Sequence, residues 1–263
     1  MRLREGFPRL STVNNIHYHS RMTNSILNHS GPAEVGHIHA DISGGALRAS
    51  VFGAMDGLVT NIALVAGVGA AGAGPRYIVL TGLAGLVAGA FSMAMGEYTS
   101  VRTQNEQVDR EWAKESAEIQ ENSAGEEHEL AAMFASMGMT EATAAAAARD
   151  IHRDPENAAL VHVTQELGLD PREKPSPKVA AISSFVTFSL GATIPLLPFL
   201  LGFTSLVAGL AVGGVGLFIA GGLASLATVV PWWLSGVRQL GFGVLAASAT
   251  YGVGLLMGVG VTG

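Results

Sequence analysis

The chain has 263 residues, of which 49% are hydrophobic and only 14% are charged, whereas soluble domains carry about a quarter charged residues. The net charge of −6 argues against a nucleic-acid partner, and the absence of cysteine excludes disulfides and cysteine-based zinc sites. Sixteen of the 21 Asp and Glu residues lie between Glu106 and Glu173. This distribution indicates an acidic, water-exposed insert within an apolar membrane protein.

The first 45 residues form a polar segment that lacks the apolar core of a signal peptide. We interpret residues 1–45 as a mostly disordered tail, within which Met22 is an alternative start. The tail contains five histidines that could bind metal, namely His17, His19, His29, His37 and His39.

Five apolar segments are long enough to cross a bilayer as helices. They are Ala49–Ala73, Tyr77–Met95, Val179–Phe203, Leu206–Val230 and Gln239–Val261. We therefore predict an all-α polytopic membrane protein with two spans in residues 46–99 and three in residues 178–263. The sequence Pro231-Trp232-Trp233 is interpreted as an interfacial loop before the fifth span.

Pairs of small residues recur at the four-residue spacing that lets membrane helices approach closely. These pairs are Gly53/Gly57, Gly85/Gly89 and Gly254/Gly258. Basic residues concentrate on one side of the predicted spans, because only Arg76 falls on the other side. The distribution predicts that the N-terminus and the insert face the cytosol.

The second span passes into the acidic insert without a proline or a turn cluster. We predict one helix from Tyr77 to Asn122, which at 1.5 Å per residue is about 70 Å long. The rest of the insert, residues 100–177, is predicted to be helical in 131–137, 141–149 and 155–168.

Three residues near the predicted spans are candidates for an ion pathway. Asp56 is the single charged residue of the first span, and an intramembrane carboxylate usually faces a cavity or a partner. Its alternative role is that of a residue near the helix end that reaches water. Met93 offers a thioether suited to a borderline-soft metal, although packing is the commoner role of methionine. Glu97, at the membrane border, could pass cations or protons to Asp56, and an ordinary solvated residue at the helix end is its alternative role.

The insert contains glutamates at spacings that place them on shared helix faces. Glu111, Glu115 and Glu118 form one set; Glu126 and Glu129 form a second set after a predicted break at Gly125. His162 and Glu166 are one turn apart on a later helix. These residues could converge on cations, and a solvated acidic face is the alternative. The insert has no Glu-x-x-His pair of the kind used by di-iron enzymes, which argues against a ferritin-like catalyst.

Five motifs stand out from Gly45 onward: Met55-Asp56-Gly57-Leu58-Val59-Thr60, Gly67-Val68-Gly69, the run from Gly82 to Tyr98, Glu166-Leu167-Gly168-Leu169-Asp170-Pro171, and Gly191-Ala192-Thr193-Ile194-Pro195-Leu196-Leu197-Pro198. In these motifs the sequence resembles the vacuolar iron transporter family.

The resemblance implies a homodimer that exports Fe²⁺ from the cytosol in exchange for protons. It assigns Asp56 and Met93 to the intramembrane pathway, and it assigns five glutamates to a cytosolic metal site: Glu115, Glu118, Glu126, Glu129 and Glu166. Where plant members have adjacent methionines, this chain has His162-Val163. Together with the Gly53/Gly57 spacing, the resemblance predicts that the first spans meet at the dimer axis.

We therefore predict a transporter rather than an enzyme, with Fe²⁺ as cargo and with Mn²⁺, Co²⁺ and Zn²⁺ as further candidate cations. A Mn²⁺ exporter of the same architecture is one alternative, and a non-transporting membrane metal sensor or scaffold is the other. The expected location is the inner membrane of a bacterium or the vacuolar membrane of a eukaryote.

Overall fold

The structure, a computed structural model, describes residues 45–168, 170–227 and 229–258. The predicted histidine-containing tail lies outside these ranges except for Gly45. Within them the regular structure is helical and contains no strand, which confirms the all-α prediction. The α-helices are α1 (Gly45–Ala70), α2 (Pro75–Ser136), α3 (Glu141–Ile151), α4 (Pro155–Leu167), α5 (Pro177–Thr193), α6 (Leu197–Leu200), α7 (Leu206–Ala224) and α8 (Trp232–Gly258).

Five helical segments in the described ranges are long and apolar enough to cross a membrane, as predicted. They are α1, the N-terminal part of α2, α5 continued by α6, α7, and α8. The third of these is interrupted by a 3₁₀ turn, Ile194–Leu196, between α5 and α6. Pro195 and Pro198 explain the interruption, because neither residue has a backbone N–H to donate within a regular helix.

The fifth spanning helix begins earlier than the sequence predicted. Trp232 and Trp233 are the first residues of α8 rather than part of a loop. The carbonyl of Pro231 accepts hydrogen bonds from the backbone N–H groups of Leu234 (3.0 Å) and Ser235 (3.2 Å), which closes the first helical turn. Proline is compatible with this position because a residue at the start of a helix needs no N–H donor of its own.

The glycine pairs pack α1 against other helices of the same chain. A Cβ at Gly57 would collide with the backbone of α5 at Phe188 and Ala192, and a Cβ at Gly53 would lie 2.8 Å from the carbonyl oxygen of Ser184. A Cβ at Gly254 of α8 would meet the α1 backbone at Gly67. Close packing through small residues is therefore present, but α5 already occupies the Gly53/Gly57 face. The prediction that the Gly53/Gly57 pair forms a contact between two protomers was therefore wrong.

The long helix α2 extends from the apolar region into the acidic insert, as predicted. Its only non-helical backbone angles occur at Asn122, with φ −143° and ψ 54°. The break therefore lies three residues before the predicted position at Gly125. The Asn122 side-chain oxygen accepts the backbone N–H of Gly125 at 3.2 Å, so Asn122 acts as an N-cap for the segment that follows.

Two apolar clusters hold the helices of the insert together. On one side of the break, Ile119 packs with Ala158 and Ala159 of α4, and Trp112 lies against this cluster. On the other side, four residues of α2 and α3 form a second cluster, namely Leu130, Phe134, Ala144 and Ala148. The two clusters fix α3 and α4 beside the two segments of α2.

The connection back to α5 contacts the part of α2 nearest the apolar region. The Asn105 side chain donates a hydrogen bond of 3.0 Å to the carbonyl of Pro175, and Lys174 forms an ion pair with Asp109. These contacts attach the acidic part of α2 to the start of the third spanning segment.

Candidate functional site

Glu115, His162 and Glu166 form a group whose ligand atoms all lie within 4.8 Å of one another. Glu115 comes from the first segment of α2, whereas His162 and Glu166 lie one turn apart on α4. The packing of Ile119 against α4 places the two helices side by side at this level. Carboxylate oxygens and an imidazole nitrogen form a donor set suited to borderline divalent metals.

The break at Asn122 brings a fourth residue to the group. Nδ1 of His162 lies 3.0 Å from Oε1 of Glu115 and 3.9 Å from Oε2 of Glu126. In a straight helix, the step of eleven positions from Glu115 to Glu126 would separate their Cα atoms by about 16 Å. The change in chain direction at Asn122 is therefore what lets both carboxylates reach one imidazole.

The centre of this group is buried and its polar atoms are unsatisfied. The side chains of His162 and Glu115 are 0% and 5% exposed. Neither ring nitrogen of His162 nor Oε1 of Glu115 has a hydrogen-bond partner among the described residues, although two of these atoms are only 3.0 Å apart. An unpaired buried polar group costs about 1–3 kcal/mol. A cation bound between these atoms would remove that cost.

Burial and mutual repulsion shift the pKa values of these groups. Burial, followed by the charges of Glu166, Glu126, Glu118 and Glu129, raises the pKa of Glu115 to about 7. Burial is also the main cause of the raised pKa values of Glu126 and Glu166. The pKa of His162 is lowered, first by burial and then by the charge of His152. The site thus holds a proton on a carboxylate near neutral pH and favours neutral imidazole.

The remaining predicted glutamates surround this centre. Glu118 and Glu129 are close enough for their charges to act on Glu115, and Glu111 acts in the same way on Glu166. Glu118 is 43% exposed and lies 3.8 Å from Lys114. None of these three residues belongs to the compact set of ligand atoms, so they lie around the group rather than inside it.

The three predicted pathway residues lie in or beside the apolar helices. Asp56 is partly buried near the middle of α1, and its Oδ1 is 3.4 Å from the Thr60 hydroxyl. Met93 packs against the cluster that contains Phe188 of α5. Glu97 is buried and accepts a 2.7 Å hydrogen bond from Arg48.

Asp56 is farther from the helix end than the sequence suggested, because α1 begins at Gly45. Along α2, Glu115 lies eighteen positions after Glu97, a distance of about 27 Å. The predicted site residues therefore fall into two groups, one at the apolar helices and one on the insert.

Sequence analysis did not single out His152, the residue that follows α3. Its ring centroid lies 5.2 Å from that of His162, with an interplanar angle of 84°. The available signal was its position at the end of an alanine-rich helix, directly before the helix that carries His162. That signal identifies a contact only once α3 and α4 are known to pack together.

The fold and this cluster define a helical integral membrane protein in which α4 and the long helix that leaves the apolar region together form a group of carboxylates and an imidazole. Residues 47–255 match the VIT family. The chain belongs to this family.

Relatives from several eukaryotes agree with this assignment. A protein named vacuolar iron transporter from Acanthamoeba castellanii is 32% identical over 232 residues, covering 86% of this chain and 84% of its own length. Vacuolar iron transporter homolog 1 of Oryza sativa subsp. japonica is 33% identical, and the match covers 81% of this chain and 74% of the relative's length. Vacuolar iron transporter 1 of the same species is 30% identical, and the match covers 80% of this chain and 85% of the relative's length.

Proposed function

We propose that the protein exports Fe²⁺ from the cytosol across its membrane in exchange for protons. The observation that supports this most directly is the group of buried Glu115 and His162 with exposed Glu166, in which Glu115 belongs to a helix continuous with a spanning segment. Relatives named vacuolar iron transporters support iron as the cargo.

The insert collects the metal in this mechanism. Glu115, Glu126, Glu166 and His162 supply the inner ligands, while Glu111, Glu118 and Glu129 attract cations by their negative charge. A metal that binds Glu115 near neutral pH must displace its proton, because the pKa of this carboxyl is about 7. Uptake of metal by the insert is therefore linked to proton release.

Asp56, Met93 and Glu97 form the route across the membrane. Glu97 lies where α2 leaves the apolar region, and its ion pair with Arg48 of α1 must open for the carboxylate to bind a passing cation. Met93 supplies a thioether deeper along the same helix. Asp56 is the one acidic residue well inside the apolar part of α1, so it can exchange a metal ion for a proton.

A homodimer completes this route. Phe52 and Asp56 are four residues apart on one face of α1, and Phe52 is 56% exposed in the single chain. A carboxylate on an incompletely covered face of a spanning helix is costly in lipid, and a second copy of α1 would cover it. Cysteines placed singly along residues 51–64 should then cross-link between protomers with helical periodicity, most strongly at Phe52. Equal labelling without cross-links at every position would contradict the dimer axis.

The transport proposal is tested with purified protein in liposomes loaded with a metal-sensitive dye. We expect Fe²⁺ entry that requires outward-facing inserts and accelerates when the liposome interior is made more acidic than the outside. Competition by Mn²⁺ distinguishes the two cargo assignments, because a Mn²⁺ exporter would lose its Fe²⁺ signal at equal Mn²⁺. Binding without any flux, with or without a gradient, would instead favour the sensor or scaffold.

The metal site is tested separately by calorimetric titration. Replacement of Glu115, Glu118, Glu126 and Glu129 by alanine should remove most of the bound metal while leaving the membrane part folded. An unchanged metal stoichiometry in this variant would overturn the assignment of the cluster.

A further inference from the structure

His152 is held in a single tautomer by its own helix. The carbonyl of Ala148 lies 2.9 Å from Nδ1 of His152 and also accepts the backbone N–H of His152 at 3.0 Å. A carbonyl oxygen can only accept a hydrogen bond, so Nδ1 must carry the proton. In a neutral imidazole this leaves Nε2 with a free lone pair.

That lone pair is buried and unused. Nε2 of His152 has no hydrogen-bond partner among the residues that the structure describes, and neither ring nitrogen of the adjacent His162 has one. The His162 side chain is fully buried. The buried imidazole of His162 and the partly buried imidazole of His152 lie 5.2 Å apart between ring centroids. Both present unpaired buried nitrogens, and His162 lies beside the carboxylates of Glu115 and Glu126.

We propose that His152 is an additional nitrogen ligand for a divalent transition metal bound at this cluster. The proposal rests on the metal-binding role proposed above and extends it to a residue outside the predicted set. A hydrogen bond from Nδ1–H to a backbone carbonyl is the usual support for a histidine that binds metal through Nε2. His152 is not one of the three residues of the compact group, and its ring contact with His162 places it beside that group at the end of α3.

A second imidazole has a consequence for metal preference. Imidazole nitrogen favours Fe²⁺, Co²⁺ and Zn²⁺, whereas Mn²⁺ and Mg²⁺ are served well by carboxylates alone. A site with His152 and His162 should discriminate more strongly between these two groups of cations than a site built from glutamates alone. His152 is thus a specificity-determining ligand.

The test uses the full-length chain, purified in mild detergent and freed of metal. His152→Asn is the sharpest variant, because the asparagine amide can still donate to the Ala148 carbonyl while Nε2 is lost. His128→Asn is the matched control, since His128 is an exposed histidine of the same insert. Co²⁺ is the probe, followed by its visible absorption and by competition with a fluorescent chelator, and Mn²⁺ is titrated in parallel.

We expect His152→Asn to weaken Co²⁺ binding about tenfold or more, to change the Co²⁺ absorption bands, and to alter Mn²⁺ affinity by less than about twofold. His128→Asn should match the wild type. Unchanged Co²⁺ affinity and absorption in His152→Asn would overturn the proposal. Equal losses for Co²⁺ and Mn²⁺ would also overturn it, because they would indicate only a structural role.

The outcomes separate this inference from the proposed function. If His162→Leu loses Co²⁺ binding while His152→Asn does not, the cluster binds metal and His152 is not a ligand. If neither the wild type nor any variant binds Co²⁺ at the cluster, both assignments fail.

Discussion

Replacing Glu115 by glutamine should stabilise the metal-free protein, and this gain should grow as the pH rises. The folded state raises the pKa of Glu115 from its ordinary 4.5 to about 7. A shift of this size corresponds to about 3 kcal/mol of unfavourable free energy for the ionised form. The folded state therefore binds more protons than the unfolded state between these two pH values, and its stability falls as pH rises through that window.

Below pH 4.5 the carboxyl is neutral in both states, so its ionisation does not separate the variant from the wild type. Above pH 7 the folded wild type carries the unfavourable charge, and the Gln variant does not. The stability gap should thus widen by up to about 3 kcal/mol between pH 5 and pH 8. The lowered pKa of His162 has the opposite effect on stability below pH 6.5, but it is present in both proteins.

Trp112 provides the assay, because it packs against the cluster that joins α2 to α4. Denaturant unfolding would be followed by its fluorescence at pH 5, 6, 7 and 8 with chelator present, after Trp232 and Trp233 are replaced by phenylalanine. Glu121→Gln is the control, since Glu121 is exposed on the same helix. With saturating Co²⁺ the wild type should become more stable than the Glu115→Gln variant, because metal binding stabilises the wild type more. A stability difference between the variant and the wild type that stays constant or narrows with rising pH would contradict the raised pKa of Glu115.

Three further predictions address the membrane part. Asp56→Asn should retain Co²⁺ binding on the insert and lose pH-gradient-driven metal flux in proteoliposomes. Met93→Ala should reduce this flux less than Asp56→Asn does. Flux at the wild-type rate in Asp56→Asn would show that Asp56 is not part of the pathway. Gly57→Ala should lower the free energy of unfolding by about 1–3 kcal/mol, because the new Cβ meets the α5 backbone. The control Gly241→Ala, whose Cβ would point into open space, should be neutral or slightly stabilising. Thermal unfolding in detergent would compare the two variants, and equal effects would contradict the packing of Gly57 against α5. Arg48→Ala should destabilise by about 1–3 kcal/mol by leaving buried Glu97 unpaired, and adding Glu97→Gln should recover part of the loss; additive losses in this double-mutant cycle would show that the pair is not coupled.

Much of the fold could be predicted because its signals are local. The apolar segments were long, and the second passed into acidic sequence without a helix breaker, so the continuous α2 followed from the sequence. The start of α8 was misplaced because tryptophans are common both in interfacial loops and at the ends of spanning helices. The break in α2 was assigned to Gly125, whereas the side chain of Asn122 caps the next segment.

The candidate site was predictable only in part, because its completion depends on tertiary packing. Helical spacing grouped Glu115 with Glu118 and His162 with Glu166. It could not show that Glu126 returns to the same imidazole, since that depends on the chain direction after Asn122. His152 was missed for the same reason. The glycine pairs predicted close packing, yet spacing alone could not distinguish a partner helix within the chain from one in a second copy.

Because α2 is continuous, the orientation of the spanning segment and the position of the insert are mechanically coupled. Between Glu97 and Glu115 the helix is unbroken, so a tilt of about 10° at its base would move the Glu115 carboxylate by roughly 5 Å over a 27 Å arm. That displacement is comparable with the whole 4.8 Å spread of the ligand atoms contributed by Glu115, His162 and Glu166. The spanning segment and the cluster therefore cannot change orientation independently: any tilt of the span must either carry α4 with it or pull the ligands apart.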